Sequence, residues 1–465
     1  MNHDRQEQSG ASQLAEPEQG RFDCPLCGSE QARRGGTRFC IHCGVPVVQP
    51  CPKCRREIDT ERTRASTCAH CREPLWKCQK CYRYYRLDQL SCANHYCESA
   101  GVPWTSLEGK EVWSHPAGDL ARTNWGSADT PESLVPWWQW IAPGDPDMHA
   151  PVNALGMVVC ASRARELWCL AEAGTEAAAT PGEYECSPIV LYDTSLASNI
   201  SAGPVILEES AWLGLSQGEV VQLDLLSGRV HYHATSLGGR VEELLPCPRG
   251  LLVAGPNAVA ILDDDGAERH LFQLPAGVDL LPPVAVGPAG TASLVVGWNR
   301  EGRFQSVALK HGKDDWEPIQ ALNHPVEHLL GGERLYMVSR DSVRVLSREG
   351  PGGFPLAEHP LVAPPAFDPE SDRLVLCLGD QSVRTFRHDG TRVSFRSALT
   401  GTPTGPPLLL GRSVLYGTQE RFLCLSERTA SPRLAGRVHP YLSIANGRVF
   451  CTTERGGVYA FTLAR

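Results

Sequence analysis

Cysteine is the residue type with chemistry to offer in this chain, and it comes in pairs. Cys24/Cys27, Cys40/Cys43, Cys51/Cys54, Cys68/Cys71 and Cys78/Cys81 each enclose two residues, and Cys92/Cys97 encloses four. A two-residue gap lets a tight turn aim both sulfurs at one point. Two such pairs supply four thiolates, which fill the tetrahedral shell of a zinc ion. Taken in order, the pairs make three sites: Cys24, Cys27, Cys40, Cys43; then Cys51, Cys54, Cys68, Cys71; then Cys78, Cys81, Cys92, Cys97. Four thiolates leave no open position for water or substrate, so these would be structural rather than catalytic ions. His42, His70 and His95 stand beside the knuckles as alternative ligands. His95 is foremost, because Cys92 and His95 keep the two-residue gap that Cys97 breaks.

Two other strings resemble reactive motifs. Gly214-Leu215-Ser216-Gln217-Gly218 is spelled like a nucleophile elbow, which needs a strand before it and a helix after it. The residues that follow, Glu219 to Asp224, alternate like a strand, so the string reads as a hairpin turn. Asp263-Asp264-Asp265-Gly266 sets its acids side by side, where a calcium loop spaces them two apart. It too reads as a hairpin turn. There is no P-loop, no H-E-x-x-H and no glycine-rich dinucleotide turn. The expectation is a protein that is not an enzyme.

The elements that hold the sulfurs must be small. Ten to thirteen residues separate the two pairs of each site, room for a short hairpin and little more. A unit of about 25 residues buries too little to fold alone. Metal binding would supply its folding free energy, on the order of 10–16 kcal/mol for a structural site. Nineteen cysteines could also mean disulfides in a secreted chain. The opening MNHDRQEQSG, however, lacks the apolar stretch of a signal peptide. No run approaches the roughly 18 apolar residues that span a bilayer. The expectation is cytoplasmic, without a membrane and monomeric. The seven remaining cysteines (Cys160, Cys169, Cys186, Cys247, Cys377, Cys424, Cys451) sit among apolar residues and read as core.

The net charge of −9 is uneven, with fourteen Lys/Arg against eight Asp/Glu in residues 21–100. Each four-thiolate zinc site is formally −2, so the bases near the knuckles (Lys53, Arg55, Lys77, Lys80) mostly offset thiolate charge.

Four segments follow. Residues 1–20 are polar and read as a disordered tail. Residues 21–100 carry the three metal units. Residues 101–147 form a linker that holds Trp104, Trp113, Trp125, Trp137, Trp138 and Trp140. So much apolar area implies that Leu134–Ala142 packs on the next domain as a strand or clasp. Residues 148–465 repeat a unit of two alternating apolar runs joined by Gly, Asp and Asn turns, the punctuation of antiparallel strands. The second run aligns at Leu170, Leu223, Leu262, Leu309, Leu346, Phe386, Leu425 and Phe461, at intervals of 53, 39, 47, 37, 40, 39 and 36 residues. A four-stranded propeller blade takes about 40–45 residues. The fold class is therefore mostly β: small metal-binding modules, then a β-propeller of eight blades, with seven as the alternative. The long first interval implies an insertion at Ala171–Glu185. The eighth repeat has only three strands before Arg465, so the segment around Trp137–Trp140 is expected to supply the fourth and close the ring.

The Cys-pair region resembles the double zinc ribbon, with a third ribbon appended. FDCPLCG with RFCIHCG and QPCPKCR with STCAHCREPL carry the likeness. The third unit, Trp76 to Cys81, looks like the opening of a Ran-binding-protein type zinc finger, but Tyr85 stands where that family has asparagine. In the repeats, QLDLLSGRVHY (Gln222–Tyr232) resembles the A-x-D-x-x-T-G-x-x-x-W blade motif of the PQQ-like propellers. Asp224, Ser227 and Gly228 are in register, and Tyr232 stands in place of Trp. The resemblance implies the fold without the quinoenzymes' cofactor slot. Together these features imply a scaffold that grips protein partners with its propeller, with zinc ribbons that are structural or recruit a partner. The alternative is ribbons that bind nucleic acid through Arg33, Arg34, Arg38, Arg62, Arg64, Arg83 and Arg86 interleaved with Tyr82, Tyr84 and Tyr85. A lesser alternative is a degenerate propeller enzyme.

Overall fold

The computed structural model describes residues 130–464 with short breaks, the longest at 172–187. Before residue 130 it describes 21–23, 30–32, 48–59, 68, 70–71, 75–77, 84–86, 115 and 125–126. Every regular element among these is a strand. Among the described residues no helix is long and apolar enough to cross a membrane.

Eight antiparallel sheets follow one another along the chain. Blade 1 spans 152–195, blade 2 200–233, blade 3 243–273, blade 4 279–322, blade 5 328–355, blade 6 366–398 and blade 7 408–429. Blade 8 takes three strands from 443–464 and its fourth from Ser133–Ile141. The burial pattern explains why the strands read as they do. In blade 3 the second and third strands, Gly250–Ala254 and Ala258–Leu262, are buried at every position, because both faces of a blade are covered by its neighbours. The outermost strand, Glu268–Gln273, alternates between half-buried and exposed.

Eight apolar clusters occupy the eight junctions between neighbouring blades. The cluster of Ile206 and Leu213 with Val159 and Leu167 joins blades 1 and 2. Successive clusters join each later pair. Trp138, Phe450 and Ala460 meet Val158, Trp168 and Leu170 to join blade 8 back to blade 1. The ring is therefore closed with eight blades. The first strands of the blades converge on the axis, where Asn153 Nδ2 of blade 1 donates to Ser443 Oγ of blade 8 at 2.7 Å.

The closing strand pairs from Ser133↔Ala464 to Ile141↔Gly457. One bulge falls between Trp138 and Pro136, leaving Trp137 as the extra residue. The Arg448 guanidinium covers the Trp137 ring at 4.5 Å. The bulge also turns the strand over. Leu134 packs toward blade 7, while Trp138 and Trp140 pack toward blade 1.

The aligned positions Leu170, Leu223, Leu262, Leu309, Leu346, Phe386, Leu425 and Phe461 all fall on third strands. Gly214 to Gly218 is the turn between the second and third strands of blade 2, with Gly218 N–H donating to the Leu215 carbonyl at 3.1 Å. Gly218 has φ +91°, and a Cβ there would lie 2.6 Å from the Gly239 carbonyl oxygen. Asp263 and Gly266 close the turn between the third and fourth strands of blade 3. The expected insertion after Ala171 lies outside the described residues.

Candidate metal centre

Three short hairpins precede the propeller: Arg21–Asp23 with Glu30–Ala32, Val48–Pro50 with Glu57–Asp59, and Leu75–Lys77 with Tyr84–Arg86. They share one phase. The first strand ends one residue before a cysteine pair (Cys24, Cys51, Cys78), and the second begins three residues after it. In the described set, Cys51 and Cys54 thus lie in the turn of a hairpin, as a metal knuckle requires.

The middle set is described in full, and its four sulfurs converge. Cys51, Cys54, Cys68 and Cys71 have Sγ atoms all within 4.8 Å of one another, so the group could hold a metal ion. Cys51 Sγ lies 3.7 Å from Cys71 Sγ, and Cys54 Sγ lies 3.7 Å from Cys68 Sγ. These separations are far too long for a disulfide, whose S–S bond is about 2.05 Å. Sulfurs this close and unbonded are spaced as ligands of one metal ion would be. Residues 14 and 20 apart in sequence meet here.

Backbone geometry fixes the knuckle. Cys51 N–H donates to the Arg56 carbonyl at 2.7 Å, and Arg55 N–H donates to the Cys51 carbonyl at 3.0 Å. Arg55 takes φ +63°, the left-handed conformation that turns the chain back. Lys53 N–H points at Cys51 Sγ from 3.4 Å, a contact that favours sulfur as thiolate. Burial pushes the Cys51 thiol up to about 12. At Cys68 burial acts in the same direction, but the N–H groups of Cys71 and His70 outweigh it and bring the thiol down to about 7. The wall is apolar: Ile58, Leu75 and Tyr84 pack with Cys51 and Cys68.

Cys24, Cys27, Cys40, Cys43, Cys78, Cys81, Cys92 and Cys97 lie outside the described residues, as do His42 and His95. His70 is described and exposed, and it is not one of the converging ligand groups. Cys160, Cys169, Cys247, Cys377, Cys424 and Cys451 are buried in the propeller, as expected of core residues.

Of the aromatic residues in the nucleic-acid reading, Tyr82 lies outside the described residues, and Tyr84 and Tyr85 are buried. Tyr84 is one wall of the sulfur cluster, and its N–H donates to Gln49 Oε1 at 3.1 Å, tying the third hairpin to the second. Tyr85 joins the apolar cluster between blades 1 and 2. Both rings are 8% exposed and have no free face on which a base could stack. Gln49, Tyr84 and Tyr85 act as anchors through contacts distant in sequence, which a linear reading does not carry.

In the propeller, the clusters of titratable groups pin turns together. Asp372 accepts from Arg334 Nη1 at 2.9 Å and Tyr336 Oη at 3.2 Å, and it lies 2.5 Å from His388 Nδ1, which latches blade 5 to blade 6. Asp380 is bound by Ser382 and Arg384 and faces His359 at 3.6 Å. Each carboxylate already has its donors.

The sequence matches no protein-family model and no curated protein. Among solved structures it is similar to BamB from Moraxella catarrhalis: 15% identity, TM-score 0.50, 71% of this chain and 99% of that one. It is also similar to the computationally designed Ika8 protein, with 12% identity, TM-score 0.52, and 71% and 99% coverage. Both likenesses are of fold. The share of this chain they cover is about the length of the closed ring.

Proposed function

We propose that this protein is a non-enzymatic scaffold in which a zinc-ribbon head and a closed propeller present surfaces to protein partners in the cytoplasm. The observation that carries the reading is the closed ring itself. Eight inter-blade cores and a clasp strand make a stiff disc whose internal polar groups are largely spoken for by one another. Such a disc offers its rims and faces to another protein without reorganising.

The metal is zinc in this reading. A tetrahedron with a zinc–thiolate length of about 2.3 Å has edges of about 3.8 Å, and the sulfur pairs of the middle set stand 3.7 Å apart. A four-thiolate shell is closed, so the ion would hold the head's shape and leave chemistry to others. The three hairpins of common phase support three such ions, one for each set of four cysteines.

The test is purification of the intact chain from its native cells without crosslinker. A stoichiometric protein partner, with hydrogen-exchange protection on the propeller surface when it binds, is the expected result. A chain that runs alone at native concentration and shifts on a nucleic-acid gel in a salt-dependent way would overturn the reading in favour of nucleic acid.

A further inference from the structure

Propellers are commonly read as discs with an open axial funnel. Here the inner edges of two opposed blades carry residues from the chain's own N-terminal stretch. Trp125–Gly126 pairs in parallel with the first strand of blade 7, Trp125 opposite Leu409 and Gly126 opposite Leu410. In that sheet the added strand lies beyond the first strand, on the side away from the second, which is the axial side. His115 is 2% exposed. Its Nε2 lies 3.1 Å from the carbonyl of Leu244, on the first strand of blade 3. A carbonyl can only accept, so His115 carries its proton on Nε2 and donates it.

Blades 3 and 7 are four places apart in a ring of eight, and so face each other across the axis. Thr130 and Glu132 then lie against blades 7 and 8. Thr130 Oγ1 accepts from Arg412 N–H at 2.8 Å, and Glu132 N–H donates to the Ala464 carbonyl at 2.9 Å. From there the chain becomes the clasp strand. His115 and Trp125–Gly126 thus meet first strands on opposite walls of the axis, one through a side chain and the other through backbone pairing.

We propose that the axial channel is a strand-accepting site filled in cis, with His115 and Trp125–Gly126 as its resident occupant. First strands of blades have one edge paired and one edge open to the axis, and an open edge accepts an extended chain. Blade 7 has taken such a chain from its own sequence. The inner edge of blade 7 is thereby paired along Leu409–Leu410 and closed to a strand from outside. The Cys-pair head also touches the disc, since Tyr85 is buried among residues of blades 1 and 2.

The test uses the full chain with p-benzoylphenylalanine in place of Trp125 or, separately, of His115. After irradiation, the monomer band is digested and the adducts are mapped by mass spectrometry. From position 125 the expected adducts lie in the first strands of blades 6 and 7 (Ala366–Asp368 and Leu408–Leu410). From position 115 they lie in Glu243–Cys247 of blade 3. Adducts scattered over outer strands, adducts between chains, or none at all would overturn the proposal. Should either variant fail to fold, deuterium exchange on the unaltered chain decides. A peptide spanning Trp125–Gly126 should exchange at least about 10-fold more slowly than an unstructured chain. Unprotected exchange there refutes the inference.

Discussion

The clasp strand can be tested by cutting the chain on either side of it. A chain starting at Ser127 keeps Ser133–Ile141, and one starting at Met148 loses it. The loss can be gauged from what the strand buries. Trp138 is 0% exposed and Leu134 6%. Removing a buried Trp side chain costs about 3–5 kcal/mol, and removing a buried Leu about 1.5–3 kcal/mol. The half-buried Trp137 and Trp140 add to this, as does the ladder to Gly457–Ala464. The total of at least roughly 5–8 kcal/mol compares with a whole-domain stability of about 5–15 kcal/mol. At about 2 °C per kcal/mol for a ring of this size, the longer chain should melt at least roughly 10 °C above the shorter. The shorter chain also exposes the edge of Gly457–Ala464 and should self-associate. Melting by circular dichroism and mass by sedimentation read both effects. Equal melting points and equal monomeric mass would refute the reasoning, because the ring would then close without this strand.

Elemental analysis of the intact chain should give three zinc ions, and Cys54→Ser should lower the count by one. Iron, or a single ion in the unaltered chain, would contradict the assignment. Tyr85→Ser should leave the zinc content unchanged but free the head from the disc, seen as trypsin cleaving the Arg/Lys-rich head at least several-fold faster. An unchanged rate would mean that Tyr85 does not anchor it. Acid should destabilise the ring as pH falls from about 6.5 toward 4. Burial lowers His149 and His328 to about 4 and His439 to about 3, so the folded ring holds them neutral while the unfolded chain takes up their protons. With the folded pKa values below the unfolded ones, stability is full above about 6.5 and drops by up to about 1.4 kcal/mol per pH unit for each such histidine. His328→Gln should flatten that slope by about one proton. An unchanged slope would show that His328 is already protonated in the folded ring.

Much of the fold was legible because it repeats. One apolar run per blade, read as alternation, fell on the third strand of all eight blades. Repetition averages out local noise, and burial on both faces keeps those strands apolar. The clasp was legible through cost: tryptophans at 137, 138 and 140 have no place in a solvated linker. The knuckles were legible because metal ligation fixes residue type and spacing together. Other features left no such trace. The bulge at Trp137 depends on which neighbour each side of the strand must meet. His115 and Trp125 act through one hydrogen bond and a two-residue strand, too short for any period. Tyr84 and Tyr85 were open to misreading because an aromatic residue among arginines looks alike whether it faces solvent or a core.

The clasp also sets a timetable. Ser133–Ile141 leaves the ribosome more than 300 residues ahead of its pairing partner Gly457–Ala464. At about 5–20 residues per second, the strand waits roughly 15–65 s for that partner. Through this interval its tryptophans are uncovered and the nascent blades form an open arc with unpaired edges at both ends. Completion of the ring is thus a single late event that joins segments more than 300 residues apart. The half-made chain, rather than the finished disc, is the species most in need of a chaperone.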